Sequence, residues 1–216
     1  MITVSAFSWV PDFARGLVRD LRVRWALEEA GLPYEAWLLG QDDKNSDTYR
    51  ALQPFGQVPA YEENGFVLFE SGAIVHHIAS KSDVLMPRDE KGRARTLSWM
   101  FAALNSIEPQ IQNLTAMDLS HADKAWAKER RPAVLEMAQT RLAALSKWLE
   151  GRDYLEDRFT AADLLMTTVL RIPRHCDLVT SIPVLENYRL RCEARPAFKR
   201  ALAAQMADFA DKPVAA

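Results

Sequence analysis

The spacing of hydrophobic and polar positions changes near Lys81. Before this point, short runs rich in β-branched and aromatic residues alternate with helical patterns, which is typical of an α/β region. The predicted strands lie at 2–4, 34–39, 60–62 and 66–69, and a helix is predicted to begin at Ser71.

After Arg88 the hydrophobic spacing is helical almost throughout, and strand patterns are nearly absent. Breaks are expected at Pro109, Gly151, Pro173 and Pro183. The predicted helical stretches run over 92–117, 123–150, 161–175 and 184–209. The chain is therefore predicted to contain an α/β domain at 1–80 and an all-helical domain at 90–210.

Two turn signals suggest how the first region is connected. Gly31 follows an apolar stripe of helical spacing and is expected to end the first helix, with Pro33 keeping it from resuming. Asn64-Gly65 separates two strands, and both residues tolerate positive φ, so this pair predicts a tight hairpin. A βαβ unit followed by a ββα unit gives a mixed sheet with a thioredoxin-like arrangement.

Composition excludes several classes of function. The 216 residues include 27 Lys and Arg against 29 Asp and Glu, and a net charge of −2 argues against a nucleic-acid-binding protein. No apolar run approaches the roughly 20 residues of a membrane span, and the N-terminus does not look like a signal peptide, so we expect a cytoplasmic protein. Two cysteines are too few for a disulfide framework.

Several motifs in the same order carry a resemblance to a known family. They are Gln57-Val58-Pro59-Ala60, Glu70-Ser71-Gly72-Ala73-Ile74, Phe159-Thr160-Ala161-Ala162-Asp163-Leu164-Leu165, Pro183-Val184-Leu185 and Arg195-Pro196-Ala197-Phe198. Together they span nearly the whole chain and resemble the cytosolic glutathione S-transferase family. The resemblance implies an N-terminal thioredoxin-like domain that binds glutathione, and a helical C-terminal domain that forms the pocket for an electrophile. It also implies glutathione as co-substrate, a homodimer and a role in detoxification.

The residue chemistry is compatible with glutathione binding by Gln57, Val58, Pro59, Glu70 and Ser71. A cis bond before Pro59 would let the Val58 backbone pair with the cysteinyl part of the peptide, with Gln57 reaching its glycyl end. Ser71 at a helix N-terminus can hold the γ-glutamyl carboxylate while Glu70 accepts the ammonium group. Taken singly, each motif also fits a tight loop or a simple helix cap.

The loop before the first helix offers two candidates for the group that activates the glutathione thiol. The hydroxyl or thiol donor of this family precedes the first helix, but the corresponding positions here are occupied by side chains without such a group. They are Ala6, Phe13, Leu17 and Arg19. Ser8 supplies a hydroxyl in the same loop, and the cation of Arg15 can also stabilise a thiolate. Both residues are equally consistent with solvent-exposed loop positions that have no role in activating the thiol.

Other polar motifs are interpreted structurally. Thr160 and Asp163 have the spacing of a helix capping box. His76 and His77 lack an acidic or cysteine partner at ligand spacing, so no metal site is expected.

Two functions remain open at this point. One is a glutathione transferase, whose reaction is conjugation, dehalogenation, isomerisation or peroxide reduction. The other is a non-catalytic binding or regulatory module that kept the fold. Residues 1–80 carry a net charge of −5 and the remainder +3, which would suit packing between the subunits of a homodimer.

Overall fold

The computed structural model describes residues 1–211, which form two compact units. The first unit contains residues 1–86 together with 194–211, and the second contains 87–193. The last helix, which the sequence analysis grouped with the helical region, therefore lies in the first unit.

A four-stranded mixed sheet forms the centre of the first unit. Its strands are β1 (Ile2–Phe7), β2 (Tyr34–Leu39), β3 (Ala60–Glu63) and β4 (Phe66–Phe69). The spatial order is β2-β1-β3-β4, with β1 parallel to β2 and β3 antiparallel to both of its neighbours. This order confirms the predicted thioredoxin-like fold.

The described α-helices follow the predicted division between the two regions. They are α1 (Asp20–Ala30), α2 (Asp47–Arg50), α3 (Ser71–Ala79), α4 (Glu90–Phe101), α5 (Glu108–Thr115), α6 (Ala125–Leu149), α7 (Ala161–Leu170), α8 (Pro183–Glu193) and α9 (Pro196–Ala207). Among residues 1–211, we find no helix with the length and apolar character that a membrane span requires.

Both predicted turn signals are confirmed. Gly31 follows α1 in the left-handed conformation, at a φ of 67°, and its N–H bonds back to Leu27. Asn64 and Gly65 have φ values of 53° and 83°, which is the geometry that a tight hairpin between β3 and β4 requires.

Helix α9 is held against α1 by a buried polar network as well as by apolar packing. Arg24 pairs with Asp20 at 2.7 Å and with Asp208 at 2.6 Å, while Gln205 donates to Asp20 at 2.7 Å. Burial raises the pKa of Asp20 to about 6, even though Arg24 lies against it. Fixed partners for these buried charges explain why the last helix belongs to the first unit.

In the second unit, the expected break at Pro109 does not occur. The chain stays helical from residue 90 to 120, passing through π-helical segments at Ala102–Ile107 and Ala116–Ser120. Pro109 lies in the first turn of α5, where the wider π-helical turn precedes it and its missing N–H is tolerated. The predicted break was therefore wrong.

The predicted capping box is present at the start of α7. Thr160 accepts a hydrogen bond from the backbone of the first turn, and Asp163 accepts one from the Thr160 N–H at 2.9 Å. Asp163 also accepts from Leu155 N at 2.8 Å and from the Tyr188 hydroxyl at 2.9 Å. Its role is thus to join α7, α8 and the preceding loop, and it has no part in the candidate site.

Candidate functional site

The turn before β3 presents an unpaired stretch of backbone. The Val58–Pro59 bond is cis, and both residues are buried while the Gln57 side chain is exposed. Within residues 1–211, no hydrogen bond joins the Val58 N–H or C=O to another group. Val58 is only 7% exposed as a residue, and unpaired backbone groups are rare at such positions, so its N–H and C=O suit the binding of an extended peptide.

Two hydroxyl groups fix this turn on both sides. The Tyr49 hydroxyl donates to the Gln57 carbonyl at 2.6 Å, and it lies 2.7 Å from the Ser5 hydroxyl. Ser5 Oγ in turn accepts from the Ala60 N–H at 2.7 Å. Tyr49 and Ser5 are each 1% exposed, and burial raises the pKa of Tyr49, so its hydroxyl remains a neutral donor. The turn is therefore rigid on either side of Val58.

The N-terminus of α3 lacks a side-chain cap. Glu70 occupies the N-cap position with a φ of 69°, an uncommon conformation for a residue with a side chain, and it makes no capping hydrogen bond. The first N–H groups of α3 are thus open to an acceptor from outside the chain. Strained, uncapped helix starts of this kind are typical of binding sites for anions.

Ser71 begins α3 and is buried beside a cation. Its Oγ accepts a hydrogen bond from Arg22 Nη1 at 3.3 Å, and Arg22 is itself 4% exposed. Because Oγ serves as the acceptor for Arg22, its own proton is free to be donated. Arg22 could not be predicted as a site residue, because it lies 49 residues from Ser71 and looks like an ordinary residue of α1.

The loop between β1 and α1 carries Ser8 and Arg15. The Ser8 hydroxyl donates to the Leu39 carbonyl at 3.1 Å. The backbone carbonyl of Ser8 accepts a hydrogen bond from the Ala210 N–H at 2.8 Å. Arg15 donates to the Ala210 carbonyl at 2.9 Å and lies 3.3 Å from Asp12. The segment after α9 therefore lies directly on this loop.

The two ends of that loop adjoin the Val58 turn. Phe7 and Val18, which flank the loop, pack against the cluster formed by Leu39, Tyr49, Val58 and Ala60. The structure thus places the loop next to the turn.

Comparison with known proteins shows the family. Residues 14–80 match the family model described as "Glutathione S-transferase, N-terminal domain". A glutathione S-transferase from Hyoscyamus muticus is 31% identical over 205 residues, covering 84% of this chain and 92% of that protein. The chain belongs to the glutathione S-transferase family.

Two further proteins are similar to this chain over most of its length. A maleylpyruvate isomerase from a Ralstonia species is 28% identical over 202 residues, covering 88% of this chain and 94% of that protein. A glutathione transferase from Burkholderia graminis, solved with two glutathione molecules per subunit, is 25% identical with a TM-score of 0.82, covering 94% of this chain and 88% of that one. These relatives confirm the prediction of a glutathione-transferase type of enzyme whose reaction is left open.

Proposed function

We propose that this transferase binds glutathione on its first unit, stabilises the thiolate and transfers it to a small hydrophobic electrophile. The observation that carries the proposal is the unpaired Val58 backbone in a turn that Tyr49 and Ser5 hold rigid. Two backbone hydrogen bonds from Val58 to the cysteinyl residue of glutathione would satisfy this N–H and C=O pair, with Pro59 shaping the turn.

The γ-glutamyl end of glutathione is proposed to bind at the start of α3. Its carboxylate accepts from Ser71 Oγ and from the open N–H groups of the helix, where the helix dipole also favours an anion. Arg22 holds Ser71 in the orientation that directs its proton to the carboxylate. The exposed carboxylate of Glu70 accepts the ammonium group, and the exposed Gln57 amide reaches the glycyl end.

The thiol is proposed to be activated from the loop between β1 and α1. Rotation of the Ser8 hydroxyl away from the Leu39 carbonyl would exchange a neutral hydrogen bond of about 1 kcal/mol for a charge-assisted bond of about 1.5 to 3 kcal/mol to the thiolate. Arg15 adds a positive charge to the same loop, and its guanidinium is held by the Ala210 carbonyl. Both groups favour the ionised over the protonated thiol.

Within the predicted helical domain at 90–210, the helices of the second unit, residues 87–193, are proposed to supply the electrophile pocket, and detoxification is the role that fits such a reaction. A homodimer is proposed because the first unit exposes the aromatic pair Phe55 and Phe69, 64% and 38% exposed with ring centroids 6.1 Å apart. The opposite net charges of 1–80 and the remainder are compatible with such packing. A cytoplasmic location stays a prediction.

One observation favours the alternative of a non-catalytic binding module. The single proton of the Ser8 hydroxyl is already donated to Leu39, and the family's usual donor positions hold no hydroxyl or thiol. In this case glutathione would bind without a change in its thiol pKa.

Calorimetric titration with glutathione tests the binding site that both functions share. We expect saturable binding at one site per chain, and the absence of binding would exclude the site and the transferase together. The Glu70→Gln variant tests the contact between Glu70 and the ammonium group of glutathione. It is titrated with glutathione and with an analogue in which a glutaryl group without the amine replaces the γ-glutamyl group. The substitution should weaken only the binding of glutathione, and equal weakening of both ligands would contradict the proposed role of Glu70.

A further inference from the structure

The second unit brings three metal-ligating groups of different chemistry to one point. A carboxylate oxygen of Asp118, a ring nitrogen of His175 and Sγ of Cys176 all lie within 4.8 Å of one another. Asp118 belongs to the π-helical segment Ala116–Ser120, whereas His175 and Cys176 lie in the turns after α7. The cluster therefore joins segments 57 residues apart.

The side chains of the cluster need only small rotations to share one cation. His175 Nε2 lies 3.1 Å from Asp118 Oδ2, and these side chains are 17% and 12% exposed. Cys176 is half-buried, and its Sγ makes a long contact of 3.4 Å with the Pro173 carbonyl. Ligand atoms around a tetrahedral zinc ion, with bonds of about 2.0 to 2.3 Å, are separated by roughly 3.5 Å.

Arg131 contacts both oxygens of the Asp118 carboxylate and shares Oδ2 with His175. Arg131 Nε lies 2.5 Å from Asp118 Oδ1, and Arg131 Nη2 lies 3.0 Å from Asp118 Oδ2. This bidentate pair fixes the plane of the carboxylate. Metal-ligating carboxylates commonly carry such an outer hydrogen bond.

We propose that Asp118, His175 and Cys176 bind a divalent cation of the zinc type, with Arg131 orienting the carboxylate. The ion replaces the hydrogen bond between His175 and Asp118 Oδ2, while Arg131 keeps its hydrogen bonds to both carboxylate oxygens. Cys176 binds as the thiolate and releases its proton to solvent. Sulfur and imidazole ligands favour zinc over magnesium or calcium, and three protein ligands leave a fourth position for water.

This site departs from the expectation of no metal, which rested on His76 and His77. The sequence could not reveal it, because Asp118 meets the His175-Cys176 pair only through the packing of the helices. The proposal does not depend on glutathione, since all four residues lie in the second unit.

Cobalt(II) is a suitable probe, because thiolate coordination gives a charge-transfer band in the near ultraviolet. The full-length chain is treated with a chelator and titrated with cobalt in glutathione-free buffer. We expect a saturable band that zinc removes by competition, and a rise in melting temperature on addition of zinc. Absence of saturable binding would overturn the proposal.

Variants assign the ligands. Cys176→Ala should abolish the charge-transfer band, and His175→Gln should weaken cobalt binding at least about tenfold. Cys192→Ala is the matched control, since this buried cysteine lies outside the cluster, and it should retain both the band and the affinity. Circular dichroism verifies the fold of each variant, and His175→Gln decides the question should Cys176→Ala fail to fold. A band that persists at unchanged affinity in the cluster variants would overturn the assignment.

Discussion

Arg22 donates a hydrogen bond to the hydroxyl of Ser71 across 3.3 Å, and both side chains are buried at the start of α3. A guanidinium on α1 thus supports the residue proposed to hold the γ-glutamyl carboxylate. Buried cations usually have a fixed acceptor, and here one acceptor is a hydroxyl whose own proton remains available. The arrangement makes Ser71 a directed donor.

Replacing Ser71 by alanine removes this donor. We expect Ser71→Ala to weaken glutathione binding by about 1 to 3 kcal/mol, because a hydrogen bond to a charged group is lost and Arg22 loses an acceptor. Calorimetric titration measures the change. Ser80→Ala, at the exposed C-terminal end of the same helix, is the control and should bind as the wild type does. Equal affinity in Ser71→Ala would show that the carboxylate binds elsewhere.

Removing the Tyr49 hydroxyl should loosen the Val58 turn. The Tyr49→Phe variant leaves the Gln57 carbonyl and Ser5 without their shared partner, so we expect a loss of about 1 to 3 kcal/mol in the free energy of unfolding. Glutathione affinity should fall as well, since the backbone pair at Val58 is less well oriented.

The matched control for this variant is Tyr61→Phe. Tyr61 is also a buried tyrosine of the first unit, but its hydroxyl donates to Glu63 and does not contact the turn. The Tyr61→Phe variant should leave glutathione affinity unchanged. If both variants bind glutathione equally well, the hydroxyls of Tyr49 and Ser5 do not position the site.

The order of local elements could be predicted from the sequence, because each depends on short-range chemistry. Gly31 ends α1 since it adopts positive φ without steric cost, Asn64-Gly65 closes the hairpin for the same reason, and Thr160 caps α7. The motifs around Val58 and Ser71 could also be located, although their assignment as binding residues stays a prediction.

Features that depend on long-range packing could not be predicted in this way. Helical periodicity shows that α9 has an apolar face, but not that Phe198 packs on Trp25 of α1, with ring centroids 4.8 Å apart. The Tyr49–Ser5 pair is 44 residues apart and leaves no sequence pattern. Pro109 was misinterpreted because a π-helical turn, which relieves its missing hydrogen bond, has no recognisable signature.

The thiol-activating role proposed for Ser8 can be tested by its removal. Ser8→Ala should lower kcat for conjugation to an electrophilic aromatic substrate about tenfold or more and should raise the pKa of the bound thiol. Arg15→Gln should have the same sign of effect on the pKa. Full turnover in Ser8→Ala would transfer the role to Arg15, and full turnover in both variants would remove this loop from the mechanism.

Asp163 should make the stability of the fold depend on pH. Burial raises its pKa to about 6, despite the hydrogen bonds that it accepts, whereas the unfolded chain has the ordinary value of 3.8. A raised folded-state pKa stabilises the protein at low pH, and this contribution is lost as the pH rises through about 6.

The comparison between wild type and Asp163→Asn isolates the contribution of Asp163 to the pH dependence of stability. From about pH 7 to about pH 5, the free energy of unfolding of the wild type should rise by roughly 1 kcal/mol relative to that of the variant. Urea denaturation at both pH values measures the difference. The variant itself should be less stable at neutral pH, because an amide replaces an acceptor oxygen of the capping box. Parallel pH profiles would contradict the raised pKa.

Thiol activation by this protein is tested most directly by the ultraviolet absorbance of the glutathione thiolate in the complex, followed as a function of pH. We expect the thiol of bound glutathione to ionise at least about one pH unit below the roughly 8.5 of a free thiol, and we expect a smaller shift in Ser8→Ala. Saturable binding with an unshifted thiol pKa would contradict the transferase mechanism and would support a non-catalytic glutathione-binding module.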